Sequence, residues 1–200
     1  MHINNYLEHI FSNKSKVKLL RFMVKDNNDR SGRELAKYTG LSHMQAHRLL
    51  KELHDEGAVT LRKIGSALLF KINFNNYAVN NILKDVFLKE AELFEELKKR
   101  YLKGVIRKAD TVILFGSVRE KNERALSDLD LFILAANGKI KKEIEKEAAE
   151  AGPYFTKATG NMLSPLVMTR EEYKKADKNN MAILANIKKG EVLKGGLSDR

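Results

Sequence analysis

Two hundred residues, 43% of them hydrophobic and 32% charged, suit one large domain or two small ones and exclude a chain disordered by composition. Cysteine is absent, which excludes disulfides, thiolate chemistry and cysteine-ligated zinc. There is no run of about eighteen apolar residues and no apolar leader with a cleavage site, and the net charge is +11. The expectation is a cytoplasmic protein with no membrane segment and with polyanionic partners, nucleic acid first.

From Lys14 to Asn73 the pattern predicts helix, helix, turn, helix and two short strands. In "DRSGRELAKYTGLSHMQAHRLLKELHDEG", Ser31 and Glu34 have the spacing of a capping box, and the helix they open stops at Gly40. Ser42 caps a second helix with Met44, Ala46, Leu49, Leu50 and Leu53 expected inside. His43, Gln45, His47, Arg48 and Lys51 are then expected outside. Gln reads adenine, Arg reads guanine, and Ser42 and Lys51 suit phosphate. "AVTLRKIGSALLFKIN" alternates like a hairpin with "IGS" at its tip and Arg62 and Lys63 beside it.

These residues resemble the winged helix-turn-helix family of prokaryotic transcription regulators over about residues 14–75. The resemblance implies binding of double-stranded DNA through Ser42, His43, Gln45, His47, Arg48, Lys51, Arg62 and Lys63. The net charge of +6 over residues 1–76 leans the same way. All five histidines lie in this half. His43 and His47 have the spacing of a metal pair on a helix, but no cysteine or acid-rich shell accompanies them, which favours a groove-facing polar role.

From Tyr77 to about Tyr101 apolar residues recur at helical steps: Val79, Ile82, Leu83, Val86, Phe87, Leu93, Phe94 and Leu97. They occupy more than one face. One face is expected to pack on the wing domain; another either pairs two copies, giving the homodimer expected of such regulators, or is buried within one chain. Gly104 is expected to end the helix. The predicted organisation is residues 1–76 for the winged helix, 77–103 for a linker and dimerisation helix, and 104–200 for a second domain.

Past Val105, strands and helices alternate: "DTVILFG", "LDLFILA", helical "KIKKEIEKEAAEA", "LSPLVMT", helical "REEYKKADKNNMAILANIKKG". Asp128 and Asp130 are two apart, so on a strand they face one side, where like charges repel unless a cation joins them. Oxygen-only ligands suit Mg²⁺ or Mn²⁺, with phosphates completing the shell. Gly116 and Ser117 follow a strand and can bring backbone N–H groups and a hydroxyl to a phosphate.

Gly116-Ser117 followed by Ser127-Asp128-Leu129-Asp130 is similar to the nucleotidyltransferase superfamily that includes DNA polymerase beta, in its minimal one-domain form, over about residues 105–196. The fold class expected is therefore mixed, α+β joined to α/β: a winged helix, a long linker helix, and a nucleotidyltransferase-fold mixed sheet flanked by helices. The resemblance gives Asp128 and Asp130 the catalytic and metal-binding roles. It gives Gly116, Ser117 and Arg119 the nucleotide, a nucleoside triphosphate taken as substrate or ligand with Mg²⁺.

The sequence departs from that family twice. Strand "NMLSPLVMT" lacks the third carboxylate and offers only Ser164, a weak ligand and poor base. The Arg-Gly that follows Gly-Ser in active minimal members is replaced by Glu120 and Lys121, with Arg119 displaced by one. Asp110 is expected at the far end of the first strand, and Glu171 and Glu172 at the start of a helix. The function expected is a DNA-binding regulator whose transferase domain has lost or reduced its chemistry and senses a nucleotide or metal, or holds a partner. Two alternatives stand: an active Mg²⁺-dependent nucleotidyltransferase modifying a protein or nucleic acid, and an antitoxin-like interaction protein.

Overall fold

The structure, a computed structural model, describes residues 1–178 and 182–197. It divides into two units, Met1–Leu93 and Phe94–Arg200. Among the described residues no helix is long and apolar enough to cross a membrane.

The first unit runs α1 (Tyr6–Phe11), α2 (Lys14–Asp26), β1 (Arg30–Ser31), α3 (Gly32–Thr39), α4 (His43–Asp55), β2 (Val59–Ile64) and β3 (Ala67–Ile72). The helix starts follow side-chain chemistry. Asn13 accepts the Ser15 amide, Ser31 and Glu34 complete the capping box, and Ser42 accepts the Gln45 amide. Gly40, at φ 67°, closes α3 in the left-handed region that glycine enters without penalty. The apolar stripes then meet: Leu35 of α3 and Leu49, Leu50 and Leu53 of α4 share one core with Leu19, Leu20, Met23 and Phe70. Strands β2 and β3 pair antiparallel from Val59–Ile72 to Ile64–Ala67, closed by Gly65 and Ser66. Gly65 sits at φ 59°, as the first central residue of such a tight loop often requires. Strand β1 adds to β3, giving the order β1-β3-β2. This is a winged helix-turn-helix. Its α1 and β1 fall outside the sequence reading because six and two residues are too short to show a period.

From 79 to 108 the backbone is helical: a wide π turn at Val79–Leu83, α5 (Lys84–Leu97), a second wide turn at Lys98–Leu102, and α6 (Lys103–Lys108). Val79, Leu83 and Phe87 are buried in the core of the first unit. Leu102 belongs to the core of the second, with Phe94, Leu97 and Tyr101 packed against it. The helix does not end at Gly104, as composition predicts, but continues to Lys108. Gly104 has another use. The Glu147 carboxylate lies where its side chain would stand, and Glu147 pairs with Lys108 at 2.6 Å.

The second unit contains β4 (Thr111–Phe115), α7 (Gly116–Glu120), β5 (Leu129–Ala135), α8 (Gly138–Thr159), β6 (Leu163–Thr169), α9 (Arg170–Lys178), α10 (Ala182–Lys188) and β7 (Glu191–Lys194). The strand order is β6-β5-β4-β7. Strand β4 is antiparallel to β5 and β7, and β5 is parallel to β6, so the sheet is mixed. Central strands β4 and β5 are apolar on both faces because both faces are covered. Val112, Leu114, Leu131 and Ile133 pack with Ile144, Ala148 and Phe155 of α8. Ile113, Phe115, Phe132 and Leu134 pack with Ala176 of α9 and Leu184 and Ile187 of α10. Pro165 is tolerated because β6 is an edge. Helix α8 passes Pro153, where a break is expected, and continues to Thr159. Buried Phe155 and the Thr159 hydroxyl, bonded to the Phe155 carbonyl at 2.8 Å, hold that last stretch.

Candidate nucleotide site and nucleic-acid face

Antiparallel pairing of β4 with β5 puts Phe115 opposite Asp130. The next residue, Gly116, therefore leaves the strand beside the Asp130 carboxylate. Gly116 sits at φ 74°, and a Cβ there would collide with Asp130 Oδ2. Both facts demand glycine. Ser117 follows in the single turn α7. Asp128 lies just before β5 and is exposed, whereas Asp130 is half-buried on the strand. Burial first, and then the Asp128 charge, push the Asp130 carboxyl above its ordinary 3.8, although a hydrogen bond from Ser164 pulls the other way.

The loop before Asp128 is anchored from three sides. The Arg124 amide donates to Ser127 Oγ at 2.9 Å, Asn161 Nδ2 donates to the Ser127 carbonyl at 2.6 Å, and the Leu129 amide donates to the Met162 carbonyl at 2.8 Å. The aspartate pair thus sits on a strand end with a fixed approach. Its donors are two carboxylates, a hydroxyl and a backbone turn, all of a kind that suits Mg²⁺ and phosphate. Asn161 escapes the sequence reading because its contact with Ser127 spans 34 residues.

The first unit presents a second face. His43, His47, Arg48 and Lys51 are exposed on α4, and Arg62 and Lys63 are exposed on β2. Gln45 corrects the sequence reading: its side-chain amide turns inward and donates to Ser15 Oγ at 3.1 Å. Met44, expected in the core, is 81% exposed. The helical wheel explains both. Met44 lies opposite the Ala46–Leu50–Leu53 stripe, while Gln45 flanks it on the side of α2. His54 faces the backbone, with Nδ1 at 3.0 Å from the Val59 carbonyl. Ser42 spends its oxygen as a helix cap. A concavity lined by Arg33, His43, His47 and Ser66 brings α3, α4 and the wing together. Arg33 is missed by the sequence reading, yet the spacing of buried Gly32, Leu35 and Ala36 puts it on the outer face.

Residues 90–185 match the family model described as a nucleotidyltransferase domain. That segment is similar to nucleotidyltransferase domains. Solved structures similar to the chain include HlyU from Vibrio cholerae (20% identity, TM-score 0.36), covering 44% of this chain and 88% of that one. NolR from Sinorhizobium fredii is 21% identical at TM-score 0.37, covering 44% and 83%. The homodimeric winged helix-turn-helix DNA-binding domain Mb0332 from Mycobacterium bovis is 18% identical at TM-score 0.38, covering 50% and 88%. No curated protein matches the chain.

Within the matched segment, the parallel register of β5 and β6 places Ser164 directly opposite Asp130. Among the described residues no third acid or histidine joins Asp128 and Asp130 within ligand reach. Asp110 precedes β4, at the other end from Gly116, and pairs with Arg170 at 3.0 Å. Glu171 and Glu172 lie in the first turn of α9, and Glu172 binds Lys141 at 2.8 Å. Arg119 and Glu120 are exposed, and Glu120 accepts from Asn122 Nδ2 at 3.0 Å.

Proposed function

We propose that the chain is a DNA-binding transcription regulator of the cytoplasm whose nucleotidyltransferase domain binds a metal–nucleotide but does not complete transfer. The register of Ser164 against Asp130 carries the second half of this reading. The hydroxyl at that position donates to Asp130. It is neutral, so it supplies neither the negative charge of a third metal ligand nor a general base. Asp128 and Asp130 would hold Mg²⁺, and Gly116 and Ser117 the phosphates, with Arg119 on the solvent side. The ion would neutralise phosphate charge when bound. What the chain's own residues contribute is binding and orientation.

DNA recognition rests on α4 entering the major groove with the wing on the backbone. Arg48, whose side chain is 69% exposed, is the residue for guanine, and Lys51, Arg62 and Lys63 are those for phosphate. Met44 offers an apolar contact for a thymine methyl in the place where Gln45 was expected. Homodimer formation is supported by Ile82, Val86 and Leu93, which stay exposed on the helix that otherwise feeds the core. On a duplex selected from random sequence, Arg48→Ala is expected to weaken binding by about 1–3 kcal/mol and relax one base position. Lys63→Ala is expected to weaken all sequences alike and lower the salt slope by about one. Unchanged affinity and selectivity in a folded Arg48→Ala chain would remove Arg48 from the interface.

A further inference from the structure

The first unit also gathers three ligand-type side chains that the sequence holds far apart. His2 precedes α1, His9 lies on α1, and Glu56 caps the C-terminal end of α4. His2 Nδ1 is 2.7 Å from Glu56 Oε1, and His9 Nδ1 is 3.9 Å from the same oxygen. The two rings stack at 3.6 Å, 7° from parallel. One ligand atom from each residue falls within 4.8 Å of the other two, and no other such trio occurs among the described residues.

A second observation points to something bound there. The Tyr6 hydroxyl, one turn before His9, is buried and has no hydrogen-bond partner. Glu56 is the charge it feels, and burial first and then that charge push the phenol up to about 12. A buried hydroxyl left without a partner is costly, so such sites normally hold a water or an ion's ligand. A simple His2–Glu56 hydrogen bond accounts for neither feature. It leaves His9 outside hydrogen-bond range of Glu56 and Tyr6 unsatisfied.

We propose that His2, His9 and Glu56 form a binding site for a zinc-type divalent transition metal, which staples the N-terminal segment and α1 to the end of the recognition helix α4. Two imidazoles and one carboxylate are the donor set of such ions and leave one position for water. The buried Tyr6 hydroxyl, which lacks a partner otherwise, is the group assigned to that water. Tetrahedral zinc needs its ligand atoms about 3.3 Å apart, a spacing that modest side-chain rotation reaches from the trio. Magnesium, which takes oxygen ligands, is disfavoured by the two imidazoles. Helix spacing suggests the pair His43 and His47, but their rings lie 6.3 Å apart, and among the described residues no third ligand joins them.

The test is a titration of ZnCl₂ against a chromophoric chelator, using full-length chain without an affinity tag and carrying Asp128→Asn and Asp130→Asn, so that the other carboxylate pair does not compete. One zinc per chain is expected, with affinity at least a hundredfold weaker in His2→Ala/His9→Ala and unchanged in His43→Ala/His47→Ala. Glu56→Gln keeps the shape, removes the charge and is expected to weaken binding at least tenfold. Thermal unfolding is expected to rise with zinc in the parent but not in the His2→Ala/His9→Ala chain. No saturable binding overturns the proposal, as does equal affinity in the His2→Ala/His9→Ala chain or loss of zinc on replacing His43 and His47.

Discussion

Gly116→Ala is expected to lower the stability of the full chain by about 2–4 kcal/mol and to remove nucleotide binding. Two costs add. A side chain at φ 74° is strained by about 1–2 kcal/mol. The new methyl also falls on the Asp130 carboxylate, which must move off its place on β5. Asp130 is half-buried and hydrogen-bonded to Ser164, so displacement breaks a contact while disturbing the metal ligand. Gly138→Ala is the control: its Cβ would meet nothing within 4 Å, and little change is expected. Urea unfolding of both variants measures the difference. A Gly116→Ala chain as stable as the parent would mean that the close approach of β4 to Asp130 is wrong.

The second large effect concerns the aspartate pair. Asp128→Asn together with Asp130→Asn is expected to abolish Mg²⁺-dependent nucleotide binding while leaving DNA affinity within twofold. Neutral amides remove the charge that makes a hard cation worth desolvating. The same change is expected to raise stability by about 1 kcal/mol. It relieves a repulsion between Asp128 and Asp130 and an ionised carboxylate that burial disfavours. Calorimetric titration and thermal unfolding read the two effects separately. Retained nucleotide affinity places the site elsewhere, and a stability loss shows that the carboxylates serve the fold.

The parts legible in the sequence are those with a local physical signature. The apolar runs 111–115 and 129–135 show as strands because β4 and β5 are covered on both faces. The Ser31–Glu34 capping box and the Gly65 turn show because a cap and a tight loop each need particular residue types. Strand β7 did not show. "EVLK" is short, charged at both ends and paired along one edge only. The passage of α8 beyond Pro153 depends on tertiary burial of Phe155, which overrides a local helix breaker.

The candidate site divides the same way. Gly116, Asp128 and Asp130 are visible as types at a spacing. The opposition of Ser164 to Asp130 depends on the register of a parallel pairing across 34 residues, and no local pattern fixes that. The exchange of Met44 and Gln45 follows from where α2 packs against α4, so residue type alone misassigns both. His2, His9 and Glu56 are beyond any motif, since their spacing depends on how the unit folds.

The proposed function turns on a nucleotidyltransferase-like domain that binds a nucleotide without transferring it. Its most direct test adds each nucleoside triphosphate with Mg²⁺ to the full chain in a calorimeter, then incubates the same mixture, with duplex DNA present, with α-labelled nucleotide. Saturable Mg²⁺-dependent binding with no label on protein or DNA is the predicted result. Covalent label that disappears in the Asp128→Asn/Asp130→Asn chain would contradict the claim and make the protein an active transferase, and no binding at millimolar nucleotide would contradict it from the other side.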